Sequence, residues 1–591
     1  MASPFDTAKL TLDYLPYACE FDPQDANRLV VGGGGGANRS GVANKITVID
    51  ASTKDELRIS GEADLSRNED SVMTVAIGPK KGRTGYVYAG INSSPADVEK
   101  GKNEHLRVFG VEQSKARLSA GANTPNVTVA ELSRNTLFSH SEVDKDAYQR
   151  VLRLSAPFGD KPQLGAVATG LAKESQIALF EVSPTAATAP KLRGRLGVSR
   201  EPMDLDVIQT GEDEYQVAYC DERELFVINV TKTEIDGPHP AFTIKEDGAG
   251  IWPTFRSIRY LSSGFIMAAA NIPKKAGAVC LGIRLPTKEG ENGRLAASAK
   301  LPRSVPQATT LAVRNLSPPS APDAKVTNAQ FLVAVAGQDR SISLFTLEHK
   351  AYSSIELLVD FDILTTLKEV HPLQITNVAL SVFTPPKTTA RPQYVKLASI
   401  SMKNTVVVHS ILLKKFTDRE APIRKGGPPR PQRYAVALKP RKFTKSTITI
   451  TTFVVLLLAV FLQLGLESVG VVRPIILPQR GVAIANVPNE FLSSLIGEVH
   501  ALQGDPIVIR EDVISPTHIE EDPVPRFQAA VHDEEVYGPA VSWEDLAPQQ
   551  KKLWKEKLSK AGHWTQNMGE SVFKGILFGE LAGAVGRAVG G

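Results

Sequence analysis

Only three cysteines occur in 591 residues, Cys19, Cys220 and Cys280, and they are far apart. That excludes a disulfide framework and a Cys-x-x-Cys redox or zinc motif, and it suits a reducing compartment. Ten histidines are present, yet none stands in a His-x-x-x-His pair, and the first 413 residues contain no Gly-x-Ser-x-Gly elbow. Covalent catalysis has no support, and the chain reads as a non-enzyme without a small-molecule substrate. A dominant charge is also missing, since 68 Lys/Arg face 64 Asp/Glu for a net +4. The first ten residues, Met1-Ala-Ser-Pro-Phe-Asp-Thr-Ala-Lys-Leu10, lack an apolar core of secretory length. Carboxylate runs such as Asn68-Glu69-Asp70 and Glu212-Asp213-Glu214 read as solvated turns.

Long hydrophobic runs are equally scarce, and the exception is informative. Residues 448–466 form one apolar stretch around Phe453-Val-Val-Leu-Leu-Leu-Ala-Val-Phe-Leu462, close to the ~20 residues that cross a bilayer as a helix. Eleven Lys/Arg lie between Lys414 and Lys445, opposed by Asp418 and Glu420 alone. On the far side Glu467, Arg473 and Arg480 are the nearest charges. The positive-inside rule then predicts a single-pass type II protein with its N-terminal side in the cytosol. After Leu466 there are 11 Lys/Arg against 17 Asp/Glu, so the basic surplus sits in the collar, where anionic lipid head groups would be. The region before the collar is near neutral, which argues against nucleic acid as partner.

Across 1–413 the apolar pattern is one of short strands with period two, and no amphipathic helix runs for several turns. A hairpin unit recurs seven times: 29–50, 85–112, 164–182, 215–230, 264–285, 330–348 and 394–413. The sixth, Phe331-Leu-Val-Ala-Val-Ala-Gly-Gln-Asp-Arg-Ser-Ile-Ser-Leu-Phe-Thr-Leu347, is nearest to a WD-repeat core, with Asp339 in its tight turn. The expected fold is all-β, a seven-bladed WD-like β-propeller over 1–413; two β-sandwiches or an eight-bladed ring are the alternatives. WD blades run ≈ 40–45 residues, so this longer chain needs inserted loops, for which 92–103, 114–126 and 314–327 are candidates. Leu364-Thr-Thr-Leu-Lys-Glu369 reads as a helical turn or two. A basic Pro/Arg-rich linker follows at 414–447, extended and disordered from 419 to 445. The span is 448–466 and the lumenal tail 467–591. In the tail Ser542-Trp-Glu-Asp545 announces a helix to about Lys560, 511–535 reads as unstructured, and 573–591 as a fraying end.

The most informative segment is Gly32-Gly-Gly-Gly-Gly-Ala-Asn-Arg-Ser-Gly-Val-Ala-Asn-Lys-Ile-Thr-Val48, five consecutive glycines between two strand-like runs. Three readings compete. One is a mobile hairpin loop. A phosphate cradle needs a helix next, and Lys45 to Asp50 alternates as a strand instead. The third is a structured loop whose carbonyls hold a cation and whose tip enters a partner.

A cytosolic propeller whose first hairpin carries this motif, followed by one span, resembles a known family. It is the ER-membrane guanine-nucleotide exchange factor for the small GTPase that initiates the COPII coat. The resemblance covers 1 to about 466. It implies a potassium-binding loop that contacts the GTPase beside its nucleotide and promotes GDP release. By position, Asn44 would be the side-chain oxygen ligand, carbonyls among Gly32, Gly33, Gly34, Gly35 and Gly36 would complete the shell, and Val42 would be the apolar tip. Asn38 and Gly41 share the loop with them. Localisation in the ER membrane follows, with the early Golgi left open, and the partners are the GTPase and the membrane. A tethered propeller scaffold without exchange activity is the second functional expectation.

Overall fold

In a computed structural model of the chain, the described residues are 4–37, 41–113, 127–246, 250–288, 290–324, 327–352, 355–386, 391–417, 432–437, 445–468, 507–511, 525–533, 539–565, 569–573 and 576–579. They fall into two compact units, 1–439 and 440–591.

Unit 1 contains seven four-stranded antiparallel sheets: 16–65 (blade I), 74–135 (II), 148–197 (III), 204–243 (IV), 254–300 (V), 308–367 (VI) and 375–417 with Asp6–Thr11 (VII). Within each, strands a to d pair in order, and each strand a touches strand a of the blade before and after it, so the ring closes. Asp6–Thr11 supplies strand d of blade VII by pairing with Thr405–Thr417, and so ties the N-terminus to the last blade. All seven hairpins expected from sequence are the b–c pairs of these blades. The sheets are therefore a seven-bladed β-propeller.

Burial explains why the pattern is readable. Strand b is packed on both faces by neighbouring blades and reads as a continuous run of small and apolar residues, as in Gln163–Gly170 and Ala329–Gly337, buried throughout. Space there is tight: a Cβ on Gly165 would lie 2.3 Å from the Phe180 ring. Strand d sits on the rim and alternates, as in Ile235–Thr243. Residues 364–367, expected as helix, lie in strand d of blade VI (Ile355–Leu367), where period-two packing overrides a weak helical preference.

The linker also departs from expectation. Gln432–Ala435 pairs with 414–417 as an extra strand of blade VII. Tyr434 packs edge-on against Phe383, the Val436 N–H donates to Gln330 Oε1 at 2.7 Å, and Arg433 meets Glu348 at 2.8 Å. Apolar side chains inside the basic stretch thus find a place in the core of blades VI and VII.

In unit 2, Lys445–Ser468 is a helix most of whose described large apolar side chains, including Phe453, Leu458, Phe461 and Leu462, are exposed. Among the described residues, no helix is long and apolar enough to cross a membrane. The tail is more ordered than expected. Ile507–Glu511, Phe527–Val531, Val541–Ser542 and Ile576–Phe578 form a four-stranded sheet packed by the helix Pro548–Lys560 through Trp543, Trp554, Leu558, Phe573 and Phe578. Two corrections follow. Residues 527–531, within the stretch read as unstructured, form a strand, and 576–578, read as a fraying end, is a central one. Their aromatic and aliphatic residues, though few, converge on one core with two tryptophans.

Candidate functional site

The glycine loop connects strands b (Asp25–Gly33) and c (Asn44–Asp50) of blade I. Strand direction places all b–c loops and all connections between blades on one face, here the loop face. Two such connections flank the loop, 12–15 before it and 66–73 after it.

Close approach explains much of the glycine run. Gly32 and Gly33 belong to the ladder, opposite Ile46 and Lys45 on one side and Ala18 and Pro16 on the other. A Cβ on Gly33 would sit 1.9 Å from the Leu15 carbonyl oxygen, and one on Gly34 would sit 2.1 Å from Asn44 Oδ1. Gly34 and Gly36 have φ of 148° and 69°, backbone that favours glycine. The Gly34 N–H donates to the Leu15 carbonyl at 2.9 Å.

Asn44 closes the loop. Its side chain is wholly buried; Oδ1 accepts the Gly36 N–H at 2.9 Å, and Nδ2 donates to the carbonyls of Ser66 and Glu69, each at 3.0 Å. One side chain therefore ties the loop to the entry of blade II. Beneath it, the Glu69 carboxylate receives Arg107 Nη1 at 2.6 Å and Arg134 Nη1 at 2.7 Å, and Arg107 is fully buried. Burial pushes the Glu69 carboxyl up, but the two guanidiniums outweigh it and hold it below the usual range. The solvated turn expected at Glu69 is thus a buried ion-pair centre. Its partners lie 38 and 65 residues away in strands c and d of blade II, a pairing that no local spacing announces. At the other end of the loop, Lys45 donates to Asp13 at 2.7 Å, within 4 Å of Glu62 and Asp64, and the Asp13 hydrogen bond raises its pKa.

The remaining expected residues are placed unequally. Gly41 is exposed with φ 78° and nothing near its Cβ position. Asn38 lies outside the described residues. Val42, expected as an exposed tip, is half-buried and packs against the cluster of Ala8, Leu12 and Tyr14 between blades VII and I. A branched apolar side chain next to an open seam folds onto it rather than standing in water.

The donors that the loop offers are oxygens of the backbone, of one amide and of one carboxylate. Ladder pairing commits the backbone of Gly32 and Gly33 to the sheet, leaving the carbonyls of Gly34, Gly35 and Gly36 outside the strands. Asn44 Oδ1 accepts one hydrogen bond and has a second lone pair. Asp70 Oδ1 stands 3.2 Å from the position of a Cβ on Gly36, bringing a carboxylate to the same turn. Among the described residues no group of three or more His, Cys, Asp or Glu is placed to hold a metal, so hard backbone and amide oxygens are the donors in question.

The buried histidines serve the scaffold. His105 Nε2 accepts the N–H groups of Leu137 and Phe138, and His371 bonds Thr405 and Ser399. Burial lowers both to about 4, so they are neutral near pH 7.

No family model matches the chain, and no curated protein matches it. Solved structures similar to it include Sqt1 from Saccharomyces cerevisiae, at 11% identity over 69% of this chain and 100% of that one, TM-score 0.40. The β-propeller domain of Nup133 from Vanderwaltozyma polyspora matches at 12% identity over 68% and 100%, TM-score 0.39. The WD40 domain of SCAP from fission yeast matches at 9% over 68% and 87%, TM-score 0.35.

Proposed function

We propose that this chain is a membrane-anchored guanine-nucleotide exchange factor for a small GTPase of the type that initiates the COPII coat, acting from the ER membrane. The observation that carries the proposal is the Asn44 clasp: one buried amide fixes a glycine-rich loop to the connection 66–73, while the Gly34 N–H ties the same loop to Leu15. Other turns also reach neighbouring connections, as where the Glu222 carbonyl accepts the Phe255 N–H at 2.8 Å, but in blade I a buried side chain closes a glycine-rich run. The apolar run 448–466 and the basic collar before it in the sequence support anchorage with unit 1 in the cytosol.

Exchange needs no covalent chemistry. It needs a surface that binds the nucleotide-free GTPase better than the loaded one, at the expense of the contacts that order its switch loops. A loop held rigid before docking loses little entropy on binding. Asn44 supplies that order through three hydrogen bonds, Gly33 and Gly34 permit the backbone to close on Leu15, and the exposed Gly41 beside Val42 is where a partner would dock. A potassium ion held by Asn44 Oδ1 and the carbonyls of Gly34, Gly35 and Gly36 would add positive charge and further rigidity. The second reading, a scaffold that exchanges nothing, is compatible with the same propeller.

Nucleotide release separates the two. Full-length protein should accelerate GDP release from the GTPase, and Val42→Ala should slow it by up to about tenfold for each 1.4 kcal/mol by which the variant weakens docking. Val42 also packs on the blade seam, so its variant is checked for unchanged thermal unfolding. A wild-type protein that leaves GDP release at its intrinsic rate replaces exchange by the scaffold reading.

A further inference from the structure

Two neighbouring blades outrun the ring on the face opposite the loop. Strand c of blade VI (Ile342–Tyr352) has 11 residues and that of blade VII (Thr405–Thr417) has 13, against 7 or 8 in the other five blades. Both strands begin at the loop face, so the surplus lies at the far end. At ~3.3 Å per residue it extends roughly 10–20 Å beyond the neighbouring strands.

This projection carries apolar side chains where a soluble rim would be polar. Tyr352 is 50% exposed, Ile355 53%, Leu357 42% and Phe416 41%. Scattered exposed apolar residues are ordinary, but these converge. Tyr352 pairs with Ile355 across the blade VI hairpin, and Phe416 pairs with Arg433, which reaches over to Glu348 of blade VI at 2.8 Å. Lys414 and Lys415 are exposed on the same strand as Phe416. Among the described residues nearby, Glu348 is held by Arg433 and Gln330, and Glu356 lies 3.5 Å from His349.

The end of unit 1 bounds how far the apolar helix can lie along the chain from this patch. Val436 is fixed on blades VI and VII, and eight residues separate it from Lys445, where the apolar helix begins. Such a segment reaches about 30 Å at most. We propose that the projection of blades VI and VII is a bilayer-docking surface. Tyr352, Ile355, Leu357 and Phe416 enter the interfacial region, and Lys414 and Lys415 meet anionic head groups. The proposal rests on the anchored topology proposed above. Aromatic and aliphatic groups flanked by lysine are what the water–lipid boundary accommodates. The glycine loop, on the opposite face, is then presented away from the membrane to a partner arriving from solution.

The test uses the full-length protein reconstituted in vesicles of phosphatidylcholine with phosphatidylserine. The three native cysteines are buried, so Tyr352→Cys and Leu171→Cys can each be labelled with an environment-sensitive dye. Leu171 is 66% exposed on the loop face and serves as the reference. Spin-labelled lipid should quench the dye at 352 severalfold more than at 171, and the difference should shrink with Lys414→Glu/Lys415→Glu or in pure phosphatidylcholine. Protein that floats with the vesicles but shows equal quenching at both positions overturns the docking surface while leaving the anchor intact. Quenching at 352 that is indifferent to lipid charge overturns the role of the lysines. Protein that does not float with vesicles overturns the anchored reading and this surface together.

Discussion

Blades I and VI build the same hairpin and close it in different ways. In blade VI, strand b ends at Gly337 and the short turn is closed by Asp339 Oδ1, which accepts the Ser341 hydroxyl at 2.6 Å, while the turn's backbone meets both flanking connections: the Gln338 N–H donates to the Gln307 carbonyl at 2.9 Å and the Val370 N–H to the Arg340 carbonyl at 3.1 Å. In blade I, strand b ends at Gly33, ten residues intervene, and the closing group, Asn44, reaches out of its own blade to Ser66 and Glu69. Both hairpins are thus tied to their neighbours, blade VI largely through its backbone and blade I through a buried side chain. What sets blade I apart is a ten-residue, glycine-rich loop closed by a buried amide, and that difference is the physical basis for proposing that blade I meets the partner.

The strongest way to break the comparison is to remove the anchor under the loop. Glu69→Ala leaves the buried Arg107 without its closest carboxylate, and breaking a buried pair costs about 3–5 kcal/mol. Urea unfolding should show that loss in unit 1. A change within 0.5 kcal/mol, about the size of an ordinary surface substitution, would mean that Glu69 is the solvated residue its sequence context suggests.

Asn44→Ala should follow, at about 1–3 kcal/mol for the buried groups left unpaired. The sequence alone suggests that this change leaves unfolding nearly untouched; the burial of Asn44 and its three hydrogen bonds revise that. Hydrogen exchange at the Gly36 amide should accelerate well beyond any change at strand b of blade VI. By contrast Asp339→Ala should cost about 1 kcal/mol in thermal unfolding and leave GDP release unaltered, since the proposed contact is made by blade I. Slowed release in Asp339→Ala would erase the distinction between the two hairpins.

A smaller effect concerns the axis. Glu20, on strand a of blade I, accepts the Ile77 N–H at 3.0 Å, and burial pushes its carboxyl up from 4.5 to about 7 despite Arg153, Arg314 and Arg259 nearby. The folded state then holds a proton that the unfolded chain has released, so stability should fall as pH rises from about 4.5 to about 7. Glu20→Gln should flatten that slope in thermal unfolding followed across this range. An unchanged slope would assign the pH dependence elsewhere.

Much of the ring is legible in the sequence because each b–c hairpin is local: a small-residue strand, a polar turn and an alternating strand lie within about 25 residues. Strand d of blade VII is not, since it comes from residues 6–11, almost 400 positions from its partner. The glycine run and Asn44 stand out as residues, but their geometry does not. Gly33 is needed by the Leu15 carbonyl and Gly34 by Asn44 itself, and both are contacts between segments. Glu69 is hidden for the same reason, and Val42 is misjudged because the seam it covers is made by blade VII. In the tail, Trp543, Trp554 and Phe578 look isolated along the chain and meet only in three dimensions.

The central claim is that the clasped loop drives nucleotide release. It is tested most directly by the rate of GDP release from the GTPase with full-length wild type, Asn44→Ala and Asp339→Ala, in potassium and in lithium. The account predicts acceleration by wild type in potassium, loss of most of it in lithium or with Asn44→Ala, and full activity with Asp339→Ala. Equal acceleration by wild type and Asn44→Ala, whatever the cation, would contradict it.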